Sequence, residues 1–232
     1  MNAPQAAILR EPESAISTSL PASAEDAARA EHYALLARLF FAAPDAPLLA
    51  ALVAAGDVFG VGDSPSPLAH SPLAHSPFVP SPFGVAWAEL ADAARRTDAR
   101  SVHDEYEALF HGIGRPEVML YGSFYLAGFL MEEPLADLRD DLAGLGLARR
   151  GGVTETEDHV AALAEVMRHL VVSGADAAGL ARQRAFFTRH LQPWYARLAD
   201  AVAAAPQASF YARVGALARA FFDVESEAFA MD

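Results

Sequence analysis

Residues 102–130 read VHDEYEALFHGIGRPEVMLYGSFYLAGFL, residues 134–147 read PLADLRDDLAGLGL, and residues 154–170 read TETEDHVAALAEVMRHL. In the first segment Val102, Tyr106, Leu109 and Phe110 recur at three- and four-residue steps. Leu135, Leu138, Leu142 and Leu145 do so in the second, and Val160, Leu163, Ala164, Met167, Leu170 and Val171 in and just after the third. Each set predicts one apolar face of a helix. Gly112, Gly144, Gly146 and then Gly151 with Gly152 supply helix stops, and Thr154 with Glu157 has the form of a capping box opening the third helix. Between residues 101 and 172 lie thirteen acidic residues and five arginines, so a ligand held here is basic, apolar or both.

The flanking chain follows the same period. Ser23 and Asp26 open a helix carrying Tyr33, Leu36, Ala37 and Phe40 up to Pro44; Asp45 and Pro47 open a short one through Leu48, Leu49, Leu52 and Val53, which Gly56 can end. Further helices are marked by Val85, Trp87, Leu90, Ala91 and Ala94, by Leu180, Phe186 and Phe187, by Trp194, Leu198 and Val202 after Pro193, and by Phe210, Val214, Leu217, Phe221 and Phe222 after Pro206. Nowhere do β-branched residues alternate between turn signals, so the expected fold is all-α, a single helical-bundle domain over residues 24–232. Two stretches break the period. Residues 1–23, rich in Ala, Ser and Pro, read as a disordered tail, and residues 57–82 as a poorly ordered Pro/Ser loop in which SPLAH occurs at 66–70 and again at 71–75. Repeat slippage explains His70 and His75 more simply than metal binding does.

Composition removes whole classes of function. At 232 residues and 53% hydrophobic content the chain can bury one substantial core. A net charge of −13 with no basic stripe argues against nucleic acid and an anionic membrane surface. There is no cysteine, hence no disulfide, thiolate nucleophile or iron–sulfur ligation. All 17 basic residues are arginine, so a P-loop lysine, a Schiff base and a pyridoxal-phosphate site are impossible. No apolar run is long enough to span a membrane and no secretory leader pattern opens the chain, which points to the cytoplasm.

Candidate chemistry is sparse. GIG at 112–114 and GLG at 144–146 follow no strand and read as helix ends; Ser123 in YGSFY lacks the second glycine of a nucleophile elbow and reads as a cap or turn residue. His103 and Glu107 lie one helical turn apart without a second ligand pair, so a solvated face is the simpler account. Glu155, Glu157, Asp158 and His159 are different. The carboxylates suit a helix start, but His159 gains nothing from that position, so structural and binding roles both stay open.

EYEALFHGIG, YGSFYL, ETEDHVAALAEVM, QRAFFTRHLQPWYARL and FYARVGALARAF, in this order and spacing, resemble the TorD/DmsD-like maturation chaperones of molybdenum-containing oxidoreductases. The resemblance covers residues 29–222 and leaves out the tail and the SPLAH loop. It implies an all-α cytoplasmic chaperone that is no enzyme and has no cofactor of its own. Its partner would be the apo-molybdoenzyme catalytic subunit, bound through the twin-arginine signal peptide until the enzyme's cofactor is inserted. The positions that match family binding motifs are Phe41 in LFFAAP, Tyr106, Leu109 and Phe110 in EYEALF, Tyr121 and Ser123 in YGSFYL, and Glu155, Asp158 and His159 in ETEDH. For Phe41, Leu109 and Phe110 a plain core role is the competing expectation. Thr156 and Leu120 depart from the family pattern beside the acidic–His pair and the tyrosine–serine turn. The run from Gly114 to Arg150 looks closest to members that accompany formate dehydrogenases. Two other classes stay open: a helical metal-dependent hydrolase using His159 and its carboxylates, and an adaptor binding a folded partner.

Overall fold

In the computed structural model the described residues are 9–10, 23–58, 81–112, 115–130, 133–174 and 176–231. Residues 1–8, 11–22 and 59–80, which hold nearly all of the expected tail and Pro/Ser loop, lie outside them. The chain is all-α: α1 Ala24–Phe41, α2 Ala46–Val58, α3 Pro82–Arg95, α4 Ala99–Phe110, α5 Gly122–Ala127, α6 Glu133–Gly144, α7 Val160–Ser173, α8 Ala177–His190, α9 Tyr195–Ala204 and α10 Phe210–Met231. A two-residue antiparallel ladder joins β1 Leu9–Arg10 to β2 Ala148–Arg149, a pairing that no alternating pattern announces.

Local signals set most helix ends. Ser23 accepts from the Asp26 amide, Asp45 from the Leu48 amide, Ser81 from the Gly84 amide with Pro82 at the first helical position, and Asp98 from the amides of Arg100 and Ser101. Gly56 does not end α2. The helix runs to Val58, and at Gly56 a Cβ would lie 2.4 Å from the Cβ of Ala91, so the glycine serves close packing of α2 on α3.

α7 is buried on every side at Val160, Ala161, Ala162, Leu163, Ala164, Val166, Met167, Leu170 and Val171. Its small residues admit close neighbours, and α1 and α8 pack against it, while α10 packs on α3 and α9. These elements share one hydrophobic core. Across it runs a polar tie: Arg29 of α1 makes two 2.8 Å hydrogen bonds to the Glu225 carboxylate of α10, which also accepts from the Tyr33 hydroxyl at 2.8 Å. Arg29 also donates to Gln183 of α8, whose amide donates to the Gly174 carbonyl beyond α7. Sharing its carboxylate and lying deep in the core raise the Tyr33 phenol well above its ordinary pKa, burial being the larger cause.

Candidate functional site

The third apolar segment of the sequence starts its helix later than the capping-box pattern predicts. α7 begins at Val160, and its N-cap is His159, whose Nδ1 accepts from the Ala161 amide at 3.1 Å. Glu157, expected in the capping box, is engaged elsewhere, as is the neighbouring Asp158. Glu157 accepts from Arg139 of α6 at 2.9 and 3.1 Å, and Asp158 accepts from the Ser123 amide at 2.9 Å, the Ser123 hydroxyl at 2.6 Å and the Thr156 hydroxyl at 2.5 Å. Backbone pairing completes the fixture: the Gly122 amide donates to the Asp158 carbonyl at 2.9 Å and the Val160 amide to the Leu120 carbonyl at 2.8 Å. Tyr121 thereby bridges His159 in antiparallel fashion, their rings edge to face at 5.0 Å. His159 is held extended (φ −62°, ψ 136°), so the helix cannot start sooner.

Gly122 allows Trp194 to pack tightly against this turn. A Cβ there would stand 3.1 Å from Nε1 of Trp194, whose indole donates to the His190 carbonyl and stacks on Tyr125 at 5.3 Å.

On the other wall, Tyr106 of α4 donates to the carbonyls of Phe41 at 2.8 Å and Phe40 at 3.2 Å, and Tyr211 of α10 donates to the Leu39 carbonyl at 3.0 Å. The two hydroxyls satisfy the last carbonyls of α1. Tyr106 contacts Phe110 and Tyr211 in turn, with ring centroids 5.1 and 5.6 Å away.

Between these walls lies a crevice of about 30 Å3 lined by Phe41, Tyr106, Phe110, His111, Pro116, Val118, Met119, Leu120, Tyr121, Glu155 and His159. Six of the residues expected to bind, Phe41, Tyr106, Phe110, Tyr121, Glu155 and His159, are brought to it. Leu109 is fully buried in the core. Ser123 and Asp158 are buried too, hydrogen-bonded to each other behind the wall, so they position the cleft instead of lining it. His111, Pro116 and Met119 line the cleft without having been expected. They sit in HGIGRPEVM at 111–119, and only their place between two binding motifs could have marked them.

Glu155 stands out among the carboxylates. It is half-buried, and among the described residues no ion pair engages it, while Glu157 and Asp158 are both held. Its charge reaches three neighbours. Burial, then Glu155, raises the Tyr106 and Tyr121 phenols, and burial lowers His159 to about 4 with Glu155 opposing that shift. His159 is therefore a neutral ring whose Nδ1 is committed to the cap. Among the described residues no three His, Asp or Glu side chains converge as metal ligands, and no helix is long and apolar enough to cross a membrane. At this volume the crevice is far below the size of small-molecule sites. What it offers is a contact surface, with aromatic walls for an apolar group and Glu155 for a cation.

The family model described as nitrate reductase delta subunit matches residues 77–200, more than half of the chain and every cleft residue except Phe41. No curated protein matches. Among solved structures, a crystal structure from Archaeoglobus fulgidus described as a redox enzyme maturation protein is similar at 14% identity with a TM-score of 0.49, covering 91% of this chain and 99% of its own. On the family match, this chain belongs to the nitrate reductase delta subunit family, which holds the TorD-like maturation chaperones of redox enzymes.

Proposed function

We propose that the chain binds the twin-arginine signal peptide of an apo-molybdenum oxidoreductase in the cytoplasm and keeps the enzyme from export until its cofactor is inserted. The observation that carries this reading is Glu155, an acceptor without an ion-pair partner among the described residues, placed beside Phe41, Tyr106 and Tyr121 in a narrow cleft. A peptide with an arginine pair followed by an apolar segment presents both groups such a cleft can hold. Asp158 and Ser123 serve the site from behind, fixing the turn that carries Tyr121 and the backbone that carries His159. A formate dehydrogenase is the client class that the Gly114 to Arg150 run suggests. The chain itself performs no turnover, so a hydrolytic or redox rate lost in His159→Ala would refute that part of the reading.

One observation favours a second mode, docking of a folded partner. Phe129, 71% exposed, and Leu130 follow α5, whose own Leu126 is exposed beside them in sequence. Co-expression with an oxidoreductase subunit carrying or lacking its signal peptide separates the two. Capture lost with the peptide supports the cleft; capture retained without it supports docking on the 126–130 surface.

A further inference from the structure

Leu9 and Arg10 pair with Arg149 and Ala148 respectively, in the only sheet among the described residues. So short a ladder holds a chain segment weakly. The net gain from so few hydrogen bonds is no larger than the conformational entropy lost in fixing the backbone that makes them. The pairing is therefore exchangeable. The receiving strand, by contrast, is built into the molecule. Leu147 before it is buried, and Arg149 donates to the Val153 carbonyl at 2.9 Å and lies 3.9 Å from the Glu157 carboxylate that also holds Arg139. From Arg149 the chain turns at Gly151–Gly152 and reaches Glu155 and His159 in the cleft wall within ten residues, and β1 lies against α7, the helix that His159 caps.

We propose that the Ala148–Arg149 edge is a strand-addition site for an extended segment of the client, and that the chain's own Leu9–Arg10 occupies it as a tethered competitor. The proposal rests on the peptide-binding reading and extends it to a second contact. Strand addition is read through the main chain, so one extended segment can replace another. In sequence the resident Leu9–Arg10 joins an apolar residue to an arginine, the same two chemistries expected of the client, and the receiving chain carries a net charge of −13. Because the resident strand belongs to the same chain, it competes intramolecularly, so it keeps weak competitors out and yields to a stronger one.

The test compares the full-length wild type with full-length Leu9→Pro/Arg10→Pro, since proline cannot donate to the ladder. Two fluorescein-labelled probes are titrated into each: QAAILREPES, the sequence of residues 5–14, and a synthetic peptide with an arginine pair followed by an apolar segment. QAAILREPES should bind the double variant about three- to tenfold more tightly than wild type, and the arginine-pair peptide should gain by a similar factor. If QAAILREPES binds both chains equally, or fails to bind the variant, the proposal is overturned. If the arginine-pair peptide binds both chains with the same affinity, the competitor role is overturned while the cleft reading survives. If QAAILREPES gains and the arginine-pair peptide binds neither chain, the edge stands as a strand-addition site and the signal-peptide reading falls.

Discussion

Asp158 and Glu155 stand three residues apart with opposite assignments. Asp158 is buried and accepts three hydrogen bonds, so Asp158→Ala leaves the Ser123 and Thr156 hydroxyls and the Ser123 amide without their acceptor. We expect a loss of about 2–4 kcal/mol in urea unfolding, with any loss of peptide affinity following from the displaced turn. His159 has its own signature in pH. Its folded pKa of about 4 is below the ordinary value of 6.5, so the stability it contributes is complete above 6.5 and lost as pH falls through 6.5 toward 4. The full span amounts to about 3 kcal/mol. His190 is shifted in the same direction, chiefly by burial, with Asp141 opposing. In His159→Asn, which keeps a capping acceptor, the fall in urea midpoint between pH 6.5 and 4.5 should be shallower than in wild type; an unchanged slope would contradict the assignment. The ETEDH motif located this cluster in the sequence. It could not show which carboxylate faces the cleft, because that depends on Arg139 and Ser123 reaching back across 18 and 35 residues.

Helix starts were legible where a Ser or Asp caps the helix that follows it, as Ser23, Asp45, Ser81 and Asp98 do. α7 is an exception because its local cap is His159 and not the Thr154–Glu157 box. α10 is another: although Ser209 precedes it, the Glu105 carboxylate of α4 accepts from the amides of Ser209, Phe210 and Tyr211 at 2.8, 3.1 and 2.8 Å. Negative charge at a helix start is favourable, so Glu105→Ala should destabilise the fold by about 1–2 kcal/mol, and Glu105→Asp should recover little because the shorter side chain falls short of the amides. Thermal melts of the two variants are the check. Tyr106 and Tyr211 supply the same kind of remote cap at the C-terminus of α1, which is why a residue expected only as a binding aromatic also carries a structural load.

At the scale of the molecule, the all-α class and the apolar faces followed from the 3.6-residue period alone. The tie that joins α1, α8 and α10 did not: Arg29, Gln183 and Glu225 are ordinary polar residues in sequence, and only the fold brings them together. Removing Glu225 leaves Arg29 with Asp26 at 3.3 Å and strips the buried Tyr33 hydroxyl of its acceptor, so Glu225→Ala should cost about 2–4 kcal/mol, more than breaking an exposed pair such as Arg219 with Asp200. Denaturant titration of Glu225→Ala and Asp200→Ala tests the contrast. The same scale explains why the cleft is acidic and aromatic together: α1 and α4 bring the rings, the start of α7 brings Glu155, and the core fixes the distance between them.

The account turns on that cleft receiving an arginine and an apolar side chain from one peptide. Calorimetric titration of a synthetic peptide with an arginine pair followed by an apolar segment into wild type, Glu155→Gln and Phe41→Ala tests it directly. A lost charge-assisted hydrogen bond corresponds to a weakening of about tenfold or more in Glu155→Gln, with a smaller dependence on salt than in wild type. Phe41→Ala should weaken binding with the salt dependence unchanged. Wild-type affinity in both variants would contradict the assignment of the cleft.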